Sequence, residues 1–283
     1  MSNTASNSFI SRCAKSRSFV IGGTITGFLL VCAIVSLFWT PGTVYDIVIK
    51  DRFLTPSADH LLGTDQFGRD VLSMLMTGTQ NSITVGIVAV SIGLFAGVGL
   101  GLLAAARKGW TEELIMRLSD FSFAFPAILS AIMITAILGP GGVNSIIAIG
   151  IYNIPVFARL TRGSANAIWA REYVMAARAS GKNKLSITLE HVLPNILSII
   201  IVQATIQFAL AILAEAALSY LGLGTQPPHP SWGRMLNEAQ TLMFLHPMQA
   251  VYPGAAIALA VFGLNLLGDG LRDILDPRLS RKR

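Results

Sequence analysis

The chain has 283 residues, 53% of them hydrophobic and only 13% charged, with 21 Lys/Arg against 15 Asp/Glu. That composition excludes a soluble globular domain and predicts an all-α, polytopic membrane bundle, because a helix satisfies its own backbone in lipid. The net charge of +6 is not a nucleic-acid footprint, since the Lys and Arg sit in short loops between apolar runs.

Residues 1–18 are polar and basic at Arg12, Lys15 and Arg17, and read as a cytosolic tail. Residues 19–39 are uncharged and long enough to span. Trp-Thr-Pro follows in place of a small-x-small cleavage site, so the run reads as an uncleaved first helix with Trp39 at the outer interface. Cys13 and Cys32, one before this helix and one inside it, predict neither a disulfide nor a metal pair. Residues 40–78 form an external segment carrying three Lys/Arg and five Asp. Within it lies HLLGTDQFGRDVLSML, where Gly63 and Gly68 permit tight turns and Asp65, Arg69 and Asp70 are spaced for local ion pairs.

Residues 79–270 carry the remaining spans. The second occupies 83–106, and its Gly93, Gly97 and Gly101 share one helix face, the spacing that lets two backbones approach in lipid. A charged turn with Arg107, Lys108, Glu112, Glu113 and Arg117 follows. Residues 121–158 are again uncharged and too long for one span; Gly139-Pro140-Gly141-Gly142 divides them into spans three and four, with kinks predicted at Pro126 and Pro155. Residues 159–195 then hold six Lys/Arg against two acids, which places them on the cytosolic side. Leu185, Leu189, Val192 and Leu193 fall on one helical face, Gly181 splits the stretch into two short helices, Asn183 caps the second, and Pro194 reads as a bend into the next span.

Span five covers 196–218. Glu215, near its outer end, either sits at the interface, is hydrogen-bonded inside the bundle, or is a lining or gating residue. Gln203 and Gln207, one turn apart, either line a polar passage or bond to neighbouring helices. Residues 222–247 form a second external segment, stiffened by prolines, with Trp232 suited to the lipid–water boundary. His229 and His246 have no Cys/His partner at ligand spacing, so no metal site is assigned. Span six covers 250–268; at its cytosolic end Asn265, Asp269 and Arg272 share one face, and 271–283 form a cytosolic tail. This six-span layout puts 17 Lys/Arg inside and 4 outside, with both termini inside.

Three separated strings carry a family resemblance. Tyr173, Val174, Ala176, Ala177, Gly181, Leu193 and Pro194 resemble the cytoplasmic loop of permeases of ATP-binding-cassette importers, with Met175 where that family has Glu and His191 where it has Ile. Gly63, Thr64, Asp65, Gly68, Arg69 and Asp70 resemble a segment before the second span in the dipeptide, oligopeptide and nickel branch. LSYLGLGTQPPHPSWGRML resembles the same branch, and NLLGDGLRDILDPRL, with Asn265, Asp269 and Arg272, its C-terminal signature.

The resemblance implies a type I importer permease in a bacterial inner membrane. It implies a second, related permease as heterodimer partner, two ATPase subunits holding ATP and Mg, and an extracytoplasmic binding protein. The glycine stripe then reads either as packing within the chain or as contact with that second permease. The loop at Tyr173, Ala176, Ala177, Gly181, Leu185, Leu189, Leu193 and Pro194 becomes the ATPase-coupling element. The cargo is a di- or oligopeptide, with nickel or another small solute of the branch as alternative. No catalytic, cofactor or metal residue is assigned, and no GxxxxGK[ST] loop is present, so any ATP belongs on another chain. A secondary transporter would need mid-membrane acids or an inverted repeat, and a membrane-embedded enzyme would need a clustered catalytic set. The four histidines are instead scattered over loops on both sides. A receptor or scaffold would fail to co-purify with an ATPase.

Overall fold

A computed structural model of the chain describes residues 12–275. Asp276, Pro277 and Leu279 of the C-terminal string, and most of the two tails, lie outside the described residues. The helices are α1 (Arg17–Val35), α2 (Val71–Arg107), α3 (Trp110–Phe123), α4 (Ala127–Leu138), α5 (Gly142–Trp169), α6 (Glu172–Ala179), α7 (Lys184–Ile187), α8 (Leu193–Tyr220), α9 (Trp232–Ala239) and α10 (Met248–Leu275). A π turn, Thr188–Val192, joins α7 to α8. Among the described residues five helical units are long and apolar enough to cross a membrane: α1, α2, α5, α7 with α8, and α10. A sixth is α3 with α4, bent by 91°.

That bend has a local cause. Pro126 lies in extended conformation ahead of α4, and its ring excludes the helical continuation from Ala124. Pro155 is carried inside α5 without ending it.

The glycine stripe settles on its intrachain reading. α2 and α5 run parallel and in close contact: a methyl group on Gly93 would lie 2.3 Å from the Asn153 side chain, on Gly97 2.5 Å from the Ile154 carbonyl oxygen, and on Gly101 2.6 Å from the Ala158 carbonyl oxygen. The stripe is therefore consumed within the protein. α1 lies antiparallel on α10, with Gly22 against the backbone of Gly263 and Leu267, and Gly270 against Phe19.

Two apolar cores result. One, toward the Gly181 end, gathers Val85, Ala89, Phe157, Val174, Ile187, Val192 and Ile196. The other, toward the Trp232 end, gathers Leu29, Val71, Met74, Ile212, Trp232, Met235 and Leu264. α2 belongs to both. It starts at Val71, inside the segment read as external, because the Asp70 carboxylate accepts from Ser73 N at 2.7 Å and caps it there.

Trp232 is not at the lipid boundary. It is fully buried, and its Nε1 donates to the Leu75 carbonyl at 3.1 Å. Ser231 caps α9, a helix absent from the sequence reading, and the cap turns Trp232, Met235 and Ala239 inward together.

Candidate functional site

At the Gly181 end, α5 passes into a compact helix–turn–helix. α6 ends in a Schellman arrangement: Lys182 N donates to the Ala177 carbonyl at 3.2 Å and Gly181 N to that of Arg178 at 3.1 Å, with Gly181 at φ +87°. The Asn183 side chain then accepts from Ser186 N at 2.7 Å and starts α7. Lys182 and Glu190 form an ion pair across the turn. The hydrogen bond from Lys182, reinforced by its charge, holds the Glu190 carboxyl below its ordinary value.

The two helices present opposite characters inward and outward. Val174, Ile187 and Val192 are buried against the bundle, with Ala177 and Leu193 packed beside them. Outward, Leu185 is 68% exposed, and Tyr173, Met175, Ala176, Leu189 and Pro194 are exposed with it. The predicted single face of Leu185, Leu189, Val192 and Leu193 is thus split. The π turn inserts an extra residue per turn and rotates Val192 inward while Leu185 and Leu189 stay out. Nor does Pro194 break the path: it sits in the first turn of α8, where a missing N–H is tolerated. From Lys184 to Tyr220 the chain is one helical unit. Ion pairs from α5 to α3, Arg162 to Glu112 at 2.6 Å and Arg159 to Asp120, fix the neighbouring bent pair to the same end.

At the opposite end, Thr64, Asp65, Arg69 and Asp70 meet in one network. Asp65 accepts from Phe67 N and Arg69 N and pairs with the Arg69 guanidinium at 2.6 Å. Arg69 also reaches Glu238 of α9 at 2.6 Å, and Glu238 accepts from Arg234 at 2.9 Å. Burial alone lowers the Arg69 pKa; the Asp65 and Glu238 carboxylates more than reverse that, so it ends above its ordinary value. Thr64 bonds to Asp51 and, through its carbonyl, to Gln249 of α10 at 2.9 Å. Asp70 pairs with His60 at 3.0 Å. Gly63 and Gly68 lie at φ +76° and +77°, and a methyl on Gly68 would lie 2.0 Å from the Val48 carbonyl oxygen. His246 stacks on Phe53, centroids 3.9 Å apart, and His229 meets the edge of Tyr45.

Glu215 lies fully buried just beneath. Ser219 donates to its carboxylate at 2.7 Å, Ser82 of α2 at 3.3 Å and Thr225 at 3.4 Å. Of the two glutamines on the same helix, Gln207 is buried and Gln203 half-buried. Asn265, Asp269 and Arg272 form an exposed stripe along the far end of α10.

The geometry has counterparts among known proteins. Residues 97–281 match the family model described as binding-protein-dependent transport system inner membrane component. The chain belongs to that family. The permease is 46% identical over 224 residues to the glutathione transport system permease protein GsiD of Pectobacterium atrosepticum, covering 79% of this chain and 74% of that one. It is 44% identical over 255 residues to the dipeptide transport system permease protein DppC of Alkalihalophilus pseudofirmus, covering 90% and 84%. Among solved structures, the inward-facing methionine ABC transporter MetNI aligns with a TM-score of 0.59 at 17% identity, over 72% of this chain and 97% of that one. This last likeness concerns the fold, that of a type I importer permease.

The permease site residues therefore fall into separate groups: an exposed apolar surface about Gly181, a buried polar network about Arg69 at the opposite end, and Glu215 buried within the bundle between α8 and α2. Sequence reasoning did not find Glu238 or Ser82, whose partners lie far away in the chain, nor Arg234, which pairs with Glu238 four residues on. The signal for α9 was present in Ser231 followed by Trp232, Met235 and Ala239 at helical spacing.

Proposed function

We propose that this permease is the non-catalytic, membrane-spanning subunit of an importer of di- or oligopeptides, driven by a separate ATPase through the helix pair about Gly181. The observation that carries the coupling is the exposed apolar surface of Tyr173, Met175, Leu185 and Leu189, on a unit helically continuous with α8. Large apolar side chains grouped on a short, stiffly attached helix pair fit a groove on another protein. Displacing them tilts α8, and alternating access follows as rocking of one bundle against its partner.

In this reading two ATPases carrying ATP and Mg lie under the Gly181 end, a second related permease completes a heterodimer, and a binding protein delivers cargo at the Trp232 end. Both termini lie in the cytosol of a bacterial inner membrane, as the 17 to 4 division of Lys/Arg supports. The peptide cargo is supported by two relatives named for glutathione, itself a tripeptide, and for dipeptides.

Reconstitution with both ATPases, the second permease and the binding protein tests it. ATP-dependent uptake of di- or tripeptides is expected, together with an ATPase crosslink from a cysteine at Leu185. Uptake driven by a proton gradient without ATP would overturn the mechanism, and uptake of nickel but not peptides the cargo.

A further inference from the structure

The turn between α9 and α10 carries Met243, Phe244 and Leu245 in succession, all exposed, with Phe244 at 93%. The turn is held in shape. Leu245 N and His246 N both donate to the Leu242 carbonyl, at 3.0 and 2.7 Å, and the His246 ring is stacked on Phe53. The three side chains are therefore displayed outward by a fixed backbone.

Their height follows from two helices. Asp269, Arg272 and Asp273 mark a watery end of α10. About 20 residues cross the hydrocarbon core, and counting back from Gly268 by that length ends in the first turn of α10. The turn 243–245 stands immediately beyond. α1 gives the same level independently. Phe19 lies against Gly270 and Ile25 against Gly263, and this antiparallel register brings Val35 level with the turn of α10 about Pro253. Phe38 and Trp39, both exposed, follow just past that level, as aromatic residues do at a lipid–water interface. On α10, Met248, Val251, Leu259 and Phe262 are exposed along one face. The apolar turn thus continues a lipid-facing stripe out to the headgroups.

We infer that Met243, Phe244 and Leu245 form a lipid anchor, inserted among the headgroups and upper acyl chains of the leaflet on the α9 side. Through the His246–Phe53 stack it holds the polar network about Arg69 at a fixed height above the bilayer. Its partner is bilayer lipid. The inference rests on α10 crossing the membrane and is independent of how the Gly181 end is driven.

The test uses the assembled transporter in lipid nanodiscs, with Cys13→Ser and Cys32→Ala as background. A nitroxide is placed at Phe244→Cys, at Val251→Cys as lipid-facing reference and at Ala58→Cys as a water-exposed reference. Collisions with oxygen, which concentrates in lipid, are compared with those of a water-soluble nickel chelate. Position 244 is expected to follow 251, with chelate collisions several-fold below those at 58 and oxygen collisions above them. Chelate access at 244 equal to that at 58 overturns the anchor. Shielding from both reagents also overturns it and assigns the turn to a protein partner. Chelate access at 251 as well would instead remove the membrane reading of α10. As a second measurement, Phe244→Asp with Leu245→Asp should expose a label at Met243→Cys to the chelate; an unchanged profile there counts against the anchor.

Discussion

Arg69 and Glu238 meet at 2.6 Å although 169 residues separate them. The pair ties the loop ahead of α2 to α9, so the two segments on the Trp232 side form one lobe. Removing the cation leaves Asp65 and Glu238 side by side in a mostly buried setting. Arg69→Met is expected to lower stability by about 3–5 kcal/mol, and Arg69→Lys to recover part of that, since Lys cannot serve both carboxylates with a planar fork. Thermal melting of the purified assembly, in a cycle with Glu238→Gln, measures the coupling. Arg69 is held above its ordinary pKa, so its contribution is complete below that value and is lost only as pH rises through the folded one. Melting should not fall on the alkaline side up to about pH 10 on this account.

Glu215 distinguishes shape from hydrogen bonding. Glu215→Leu would take away the acceptor for the Ser82, Ser219 and Thr225 hydroxyls, at about 1–3 kcal/mol for each buried donor left unpaired. Glu215→Gln keeps an acceptor oxygen and should melt near the parent. If both variants assemble normally but only uptake fails, the residue acts in the pathway, not in holding the lobe.

The α2–α5 contact has no spare room. Gly97→Leu must force the helices apart at the Ile154 carbonyl and Phe157, and overpacking of this kind costs about 1–3 kcal/mol or more. Loss of folded protein in detergent is expected. Gly99→Leu, at an exposed position where nothing lies within 4 Å of an added Cβ, should be neutral and serves as control.

Gly181 is open to solvent, and only its backbone resists substitution. Gly181→Ala should cost about 1–2 kcal/mol through the left-handed conformation. Gly181→Pro cannot adopt the observed φ and also loses the bond to Arg178. The assembly is expected to form in part but to hydrolyse ATP without importing peptide; uptake at the parent rate would show that the turn does not couple hydrolysis to uptake.

The Lys182–Glu190 pair braces that turn. Glu190 is depressed below its ordinary value, so its contribution is present above that value and lost as pH falls through the folded one. Amide protection over residues 182–190, taken relative to the intrinsic exchange rate at each pH, should stay constant from neutral to mildly acidic solution and fall below about pH 4. Glu190→Gln should show the lower protection at all pH values.

Local chemistry was legible in the sequence and distant pairing was not. The apolar runs marked the spans because length and lack of charge suffice for that. Gly181 and Asn183 marked the turn because a left-handed residue and a cap act within a few positions. Leu185 and Val192 were placed on one face because spacing assumes a regular helix, and no residue type announces a π turn. Trp232 was placed at the lipid surface from its side chain alone; its true position depends on Leu75 and Gly78, far earlier in the chain. The same holds for Glu238, whose partner is fixed only once α9 folds back over the start of α2.

α2 has 37 residues and so extends about 55 Å, well beyond the roughly 30 Å of hydrocarbon it crosses. Asp70 clamps its first turn into the Trp232-side lobe, while its far half lies locked along α5, which leads into the Gly181 turn. A girder of this kind has no elbow at mid-depth. The two faces of the membrane are thereby joined by a strut that can lean or slide but cannot fold, and a displacement at one face is passed on to the other.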